Sequence, residues 1–300
     1  MPTRFLVLGD GWPAAEAVRT ICSHPNGHLV AYIQPRTERN KYLVQLSDFG
    51  SHRSVEYLRS SGVDWIVSAN NLQIIGREAL DEVKYQAINL HPALLPEYAG
   101  VHCHEWAIRN SEKYFGVSVH MILPGIDTGD VVAESKFPLA DNETGLSLFT
   151  KCMREGALLL GKVLIDVLEE KSLVCRKQDL AKRQIYRHKD RSIQNLTWQE
   201  NADSIARVVR SYNYEPFDRP DHCLKIVLDN NQKFDIIRAR VGEFTSEKPG
   251  EIVRSSKDGV HIAAGGFREI IVTKARYATS DVSGAEIGTL CRSARRCVLC

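Results

Sequence analysis

Residues 86–100 read QAINLHPALLPEYAG and residues 116–132 read GVSVHMILPGIDTGDVV, and these two stretches decide the fold. In the first, an apolar run ends abruptly in Asn89-Leu90-His91, as in a buried strand whose carboxyl end delivers polar side chains into a crevice. Because alternate residues of a strand share a face, Asn89 and His91 are expected to point the same way. The second stretch alternates like a strand and leads into a turn that can place Asp127 at a strand end.

An amide, an imidazole and a carboxylate that converge on one pocket suit acyl transfer to an amine. The Asn89 amide can donate to the oxyanion of a tetrahedral intermediate, and the His91 imidazole can assist there or move protons. Asp127 can orient and charge the imidazole or relay a proton from the amine. The sequence shows no Ser or Cys in a recognisable nucleophile elbow, which favours direct attack by the acceptor. His120 reads equally well as a buried partner on its strand, so it stays outside the predicted catalytic set.

Three spaced motifs, Asn89-Leu90-His91, Leu94-Leu95-Pro96 and Asp127-Thr128-Gly129-Asp130, occur in the order that is typical of one family. The chain resembles the 10-formyltetrahydrofolate-dependent formyltransferases, well over residues 1–165 and more weakly to the end. The resemblance implies that Asn89, His91 and Asp127 are catalytic, and that 10-formyltetrahydrofolate is the co-substrate, without a metal. It further implies a folate-binding role for Ile88, Leu90, Asp141, Glu143 and Thr144. An acidic loop that only caps the next helix would read the same as residues 141–144.

The chain begins like a doubly wound α/β sheet. An apolar strand ends at Gly9-Asp10-Gly11, and the following residues, 13–21, are predicted to be helical. Strand and helix patterns then alternate up to residue 91, which predicts a Rossmann-like, mostly parallel sheet with right-handed crossovers. The Gly9-Asp10-Gly11 turn lacks the third glycine of a dinucleotide fingerprint, so it is either an acceptor-binding loop or simply a tight turn.

The C-terminal third carries short strand patterns that recur between turns, which predicts a small OB-like β-barrel. The order of these strands resembles the C-terminal barrel of methionyl-tRNA and aminoarabinose formyltransferases. We therefore expect a catalytic domain over residues 1–175, a linker over 176–200, a barrel over 201–290 and a tail over 291–300. The tail holds three cysteines and three arginines and is expected to be disordered.

The segment after the first motif predicts the contacts with the acceptor, at Tyr98, His102 and His104. A metal site at His102-Cys103-His104 is not favoured, because ligands spaced by one residue are poorly placed on a helix. The sequence of this segment resembles formyltransferases of small amines more than those of methionyl-tRNA. The predicted acceptor is therefore a primary amine, most simply on a nucleotide-linked amino sugar. Methionyl-tRNA, an amino-acid or peptide natural-product amine, formylfolate hydrolysis and a catalytically silent binding module stay open as alternatives.

The length of 300 residues allows one large or two ordinary domains, and the 43% apolar composition is enough for a sizeable core. The net charge of +2 is unevenly distributed, at −6 over residues 1–170 and +8 over residues 171–300. This asymmetry permits an anionic acceptor or RNA without requiring one. At residues 35–41, contact with RNA and a solvated loop are both compatible with the mixed charges.

The sequence also predicts where the protein is found. Its cysteines are scattered, and it shows neither a long apolar run nor a leader, so we expect a soluble, cytoplasmic protein that does not bind a membrane. The oligomeric state is not predicted.

Overall fold

The computed structural model describes residues 1–34, 52–84, 86–191, 196–217 and 223–299. The loop at 35–41, for which RNA contact was one alternative, lies outside these residues. In the described ranges, none of the helices combines the length and the apolar composition that crossing a bilayer requires.

The N-terminal half alternates strands and helices as predicted. Its elements are β1 (Thr3–Gly9), α1 (Gly11–Ser23), β2 (Gly27–Ile33), α2 (His52–Ser61), β3 (Trp65–Ala69), α3 (Arg77–Asp81), β4 (Gln86–His91), β5 (Ala99–Gly100), α4 (Cys103–Arg109), β6 (Tyr114–Met121), β7 (Val131–Pro138) and α5 (Gly145–Leu168). Six of the strands form one sheet in the order β2-β1-β3-β4-β6-β7. The pairings from β2 to β4 are parallel, whereas β6 is antiparallel to both β4 and β7. The predicted Rossmann-like sheet is confirmed.

β1 is an interior strand of this sheet, between β2 and β3, and its apolar run is continuous rather than alternating. Phe5, Leu6, Val7 and Leu8 are all at most 2% exposed. Such a run is typical of a parallel strand that is covered on both faces. The strand holds β3 in register, Val7 opposite Val67, and β3 in turn holds β4.

The C-terminal half begins with 3₁₀ turns at Leu180–Lys182 and His188–Arg191 and the short strand β8 (Ile185–Tyr186). It continues with α6 (Ala202–Ser211), β9 (Leu224–Leu228), β10 (Lys233–Phe244), β11 (Ile252–Ser256), β12 (Gly259–Ala264), β13 (Arg268–Tyr277), β14 (Ser280–Ser283), α7 (Gly284–Leu290) and β15 (Cys297–Leu299). Six of these strands form an antiparallel sheet in the order β11-β12-β13-β10-β9-β15, and β14 pairs with β13. A bridge between Glu251 and Arg296 joins the two ends of that order, so the sheet curls on itself. The predicted small barrel-like domain is confirmed.

The interior of this curled sheet is filled by both strands and helices. α6 contributes one apolar face, including Ile205 and Val209, and α7 contributes Ile287. A helix with apolar residues on one side buries that side and leaves its polar side to solvent.

The expectation of a disordered tail is wrong for residues 297–299. β15 pairs antiparallel with β9, with Val298 opposite Val227. Cys291 and Cys297 are buried in the core of the curled sheet, because a reduced cysteine packs there as a small apolar side chain. The arginines between these cysteines give the segment a polar appearance in the sequence.

Two compact units emerge from the packing of the chain. The first comprises residues 1–103, 114–138 and 149–186, and the second comprises residues 104–113, 139–148 and 187–300. The bounds predicted from the sequence, at residues 175, 200 and 290, stay predictions. The compact units differ from them because residues 104–113 and 139–148 pack with the C-terminal residues.

Candidate active site

The first motif lies at the carboxyl end of β4, which pairs with β6. Asn89 lies directly opposite His120 in the antiparallel register of these strands, and His91 lies opposite Ser118. Directly opposed residues share a face of the sheet, so the amide and the His120 imidazole are neighbours. The loop after β6 then carries Asp127 back to the same place.

The three predicted catalytic side chains meet in one cluster, together with His120. Nδ1 of His91 lies 3.6 Å from Oδ2 of Asp127, and Nε2 of His120 lies 3.5 Å from Oδ1. Nδ2 of Asn89 lies 3.1 Å from Nε2 of His120. The backbone amide of Gly100 donates a hydrogen bond of 2.7 Å to Oδ2 of Asp127. We refer to Asn89, His91, His120 and Asp127 as the polar cluster.

The tautomer of His91 follows from its partners. Nε2 lies 2.6 Å from the carbonyl oxygen of Tyr98, and a carbonyl only accepts, so Nε2 carries a proton. The thiol of Cys103 donates to the same carbonyl at 3.3 Å. Burial lowers the pKa of His91 below its ordinary value and outweighs the opposing effect of Asp127. The neutral ring therefore presents its unprotonated Nδ1 towards Asp127.

Asp127 is buried and still ionised. Burial alone would raise its pKa, but the neighbouring rings of His91 and His120 and the hydrogen bond from the Gly100 amide hold the pKa well below its ordinary value. Its backbone has a left-handed φ of +49°, a conformation that Asp tolerates better than most residues. The cluster therefore pairs a carboxylate with a neutral imidazole that can accept a proton.

Residues 176–186, which lie in the segment that the sequence predicts to be a linker, hold the Asp127 loop in place. Nε2 of Gln178 donates to the carbonyl oxygens of Asp127 and Gly129, at 2.9 and 2.5 Å. β8 pairs parallel with β5, so Gly100 lies opposite Tyr186 and its amide is aimed at Asp127. Residues 176–186 are thus part of the support of the site.

The side chains of Ile88 and Leu90 lie in the core, because alternation turns them away from the face that carries Asn89 and His91. They are 0% and 2% exposed, and Leu90 packs beside Gly156 of α5. Only their backbone could meet a ligand. Their folate-binding role stays a prediction.

The loop residues 141–144 lie in the second compact unit. The Thr144 hydroxyl accepts from the Ser147 amide at 3.1 Å, and the Ser147 hydroxyl accepts from the Thr144 amide at 2.9 Å. Glu143 accepts a hydrogen bond from the same hydroxyl, and Asp141 is exposed. This pattern caps α5, as the alternative interpretation of the sequence required. A folate-binding role for Asp141, Glu143 and Thr144 stays a prediction.

The Gly9-Asp10-Gly11 turn is explained by backbone geometry. A Cβ on Gly9, whose φ is +140°, would lie 1.8 Å from the carbonyl oxygen of Ala69. Asp10 is the N-cap of α1, and its carboxylate accepts from the Gly11 amide at 2.7 Å. The tight-turn interpretation accounts for these three residues, and their acceptor-binding role stays a prediction.

The other residues predicted to bind the acceptor differ in their surroundings. Tyr98 is buried and stacks on Tyr186, with ring centroids 5.3 Å apart, so it meets the polar cluster through its carbonyl. His102 is half-buried, with a left-handed φ of +60°. His104 lies in the second unit, buried, with Nε2 2.6 Å from the hydroxyl of Tyr214. Their acceptor-binding roles stay predictions.

Two members of the site were not identified from the sequence. His120 could have been found from the strand register, since an antiparallel β6 with His120 opposite Asn89 brings the imidazole next to the amide. The Gly100 amide leaves no such signal, because every residue except proline has one. In the described part of the chain, no group of three or more His, Cys, Asp or Glu side chains is arranged to hold a metal ion.

Comparison with known proteins adds two matches to family models. The family described as formyl transferase matches residues 16–164, and the one described as formyl transferase, C-terminal domain, matches residues 190–287. A methionyl-tRNA formyltransferase of Clostridium tetani (strain Massachusetts / E88) is 30% identical over 211 residues, which is 70% of this chain. The match spans 66% of that relative, just under two thirds of its length.

Solved structures show the same fold. An N-formyltransferase from Helicobacter canadensis, in complex with folinic acid and dTDP-3-aminofucose, aligns with a TM-score of 0.68 at 17% identity over 90% of this chain and 98% of that one. WlaRD, a sugar 3N-formyl transferase in the presence of dTDP and 5-N-formyl-THF, aligns with a TM-score of 0.66 at 19% identity over 93% and 99%. At these identities the likeness is one of fold.

Proposed function

The chain belongs to the formyltransferase family, and we propose that it moves a formyl group from 10-formyltetrahydrofolate to a primary amine. The observation that carries the proposal is the polar cluster. In it, the Asn89 amide lies 3.1 Å from the His120 ring, and the rings of His91 and His120 lie 3.6 and 3.5 Å from the buried Asp127 carboxylate. These are the groups that acyl transfer to an amine requires.

Asn89 supplies the donor for the oxyanion. When the neutral amine attacks the formyl carbon, a C–N bond forms and negative charge moves to the formyl oxygen. One N–H of the Asn89 amide is directed at His120, which leaves the second N–H for that oxygen. A preorganised donor of this kind contributes about 10²–10³-fold to kcat.

His91 and Asp127 manage the proton. The amine becomes an ammonium group as it attacks, and its proton must leave before the intermediate collapses. Nδ1 of His91 is the unprotonated nitrogen, and Asp127 beside it stabilises the imidazolium that forms. The same proton then passes to the leaving nitrogen of tetrahydrofolate, so protons and charges balance at the end of the transfer.

Two exposed apolar side chains follow the strand that pairs with β4, and they suit the folate. Leu72 and Ile74 follow β3, the parallel neighbour of β4, and they are 65% and 80% exposed. Large exposed apolar side chains at the edge of a site favour a planar aromatic ligand. These residues, with the backbone of the loop that contains them, are our candidates for contact with the pteridine.

The acceptor we propose is the amine of a nucleotide-linked amino sugar. The support is the sequence of residues 98–108 and the Helicobacter canadensis protein of the same fold, whose complex holds dTDP-3-aminofucose. Methionyl-tRNA is the second candidate, because relatives at about 30% identity carry that name. The basic C-terminal residues suit either anion.

The test is to incubate the purified protein with 10-formyltetrahydrofolate and, separately, dTDP-amino sugars and methionyl-tRNA, while tetrahydrofolate release is followed. Release that requires an amino sugar, with a formylated product by mass spectrometry, supports the proposal. Release that requires only methionyl-tRNA selects the second candidate. Release with formate and without any acceptor indicates hydrolysis, and no release under any condition contradicts a formyl-transfer function.

A further inference from the structure

His120 has a defined partner on each ring nitrogen. Nδ1 lies 2.8 Å from the carbonyl oxygen of Met121, and Nε2 lies 3.1 Å from Nδ2 of Asn89. Because the carbonyl can only accept, the neutral ring carries its proton on Nδ1. Nε2 is therefore an acceptor, and the Asn89 amide donates to it.

This contact decides which end of the Asn89 amide faces the site. The oxygen and nitrogen ends of a carboxamide have nearly the same shape, so packing alone does not choose between them and the hydrogen-bond partner does. With a ring nitrogen that only accepts, the nitrogen end must face His120. Its second N–H then points away from His120 and can meet another acceptor.

We propose that His120 is a positioning residue for formyl transfer, whose Nε2 holds Asn89 in the orientation that donates to the oxyanion. The inference rests on the proposed function and assigns a role to a residue outside the Asn89, His91 and Asp127 set. His120 acts through Asn89 and does not itself touch the reacting atoms.

Two other members of the polar cluster face the His120 ring. Oδ1 of Asp127 is 3.5 Å from Nε2, and the ring centroid of His91 is 6.4 Å away at 78°. The contact between His120 and Asn89 is therefore made beside the other predicted catalytic side chains.

Two substitutions separate the roles of the ring nitrogens. In H120N the side-chain nitrogen lies near the position of Nδ1, so the donor to Met121 is kept while the acceptor for Asn89 is lost. In H120Q the side-chain oxygen lies near the position of Nε2, so the acceptor is kept. We expect H120N to lower kcat by about 10²-fold with KM for the formyl donor little changed, and H120Q to lower kcat by less than about tenfold.

A double-mutant cycle tests whether His120 acts through Asn89. If it does, N89A/H120N is no slower than N89A alone, within about threefold. Independent, multiplying effects of the two substitutions would overturn the proposal.

A readout without turnover keeps this inference separate from the proposed function. Long-range ¹H–¹⁵N spectra of the histidine rings report the tautomer, and we expect His120 with its proton on Nδ1 and an Nε2 resonance that shifts in N89A. A proton on Nε2 at neutral pH would overturn the proposal even in an active enzyme. If the tautomer is as expected but no acceptor is formylated, the proposed function has failed and the positioning contact stands. H261Q, at a buried histidine of the second unit, is the control for general effects of losing an imidazole.

Discussion

At the scale of single residues, Asp127 is a carboxylate that the surrounding structure keeps charged. The Gly100 amide donates to it and two imidazoles face it, so it can stabilise positive charge that develops during proton transfer. A neutral amide at the same position keeps the shape and loses that charge. We therefore expect the Asp127 side chain to matter more for catalysis than for folding.

We expect D127N to lower kcat by about 10²–10⁴-fold, the range of a lost group in proton transfer. Its unfolding midpoint should change little, because the side-chain oxygen of Asn can still accept from Gly100. The measurement is steady-state release of tetrahydrofolate with thermal unfolding in parallel. D130N, at the other carboxylate of the same motif, is the matched control and should retain most activity. Unchanged turnover in D127N would remove Asp127 from the mechanism.

His91 makes the stability of the protein depend on pH. Its pKa in the folded state is lowered by burial from the ordinary value of 6.5, so the unfolded chain binds more protons as pH falls below that value. Stability then rises with pH through this range and is lost towards acid. We expect the free energy of unfolding from urea titrations to fall between about pH 7 and pH 5, and to fall less in H91Q. Equal slopes for the two proteins would contradict the burial effect.

At the scale of elements, the short strands β5 and β8 join the site to its support. Gly100 has a φ of +94°, and a Cβ there would lie 2.1 Å from the carbonyl oxygen of Tyr186. Only glycine permits this close approach. The pairing of β5 with β8 thus depends on Gly100. The position of the Gly100 amide, which donates to Asp127, depends on the same residue.

We expect G100A to lower the free energy of unfolding by at least about 1–3 kcal/mol, through strain and the separation of the two strands. It should also lower kcat, because the amide moves away from Asp127. Urea unfolding and steady-state kinetics measure the two effects. G62A is the control: Gly62 also has a positive φ, +57°, but the nearest atom to its Cβ would be 3.8 Å away. That variant should lose stability without losing activity.

At the scale of the whole molecule, the last strand completes the second unit and hides its thiols. β15 places Cys297 in the core beside Cys291, and burial raises the pKa of Cys291 to about 11 and of Cys297 to about 12. Cys22 is exposed. A thiol that is both buried and protonated reacts slowly, since the thiolate is the nucleophile.

We expect iodoacetamide at pH 8 to label Cys22 in the native protein and to leave Cys291 and Cys297 unmodified until denaturant is added. Mass spectrometry of peptides after timed labelling measures the rates. Rapid labelling of Cys297 in the native state would show that β15 is not held in the sheet. A truncation before residue 291 gives the complementary test, and it should lower the unfolding midpoint of the second unit.

The sequence by itself determined the fold class and predicted that Asn89, His91 and Asp127 would meet in one place. The structure brings them together, and their catalytic roles stay predictions. Hydrophobic periodicity depends on neighbours in the chain, so the alternation of strands and helices can be recognised in the sequence. The motif residues can be recognised because their chemical types and order are unusual. The division at residues 175–200 and the acceptor are still predictions.

Only the tertiary structure decided how those side chains are supported. The antiparallel register brings His120 opposite Asn89, the loop after β6 folds back to His91, and residues 176–186 hold that loop. The burial of the cysteines in the C-terminal tail was likewise decided by the tertiary structure, because they pack with β9 and α7. Each of these contacts either joins residues far apart in the sequence or uses a backbone group that nearly all residues have. Contacts of both kinds leave no local pattern in the sequence, so they could not be predicted from it.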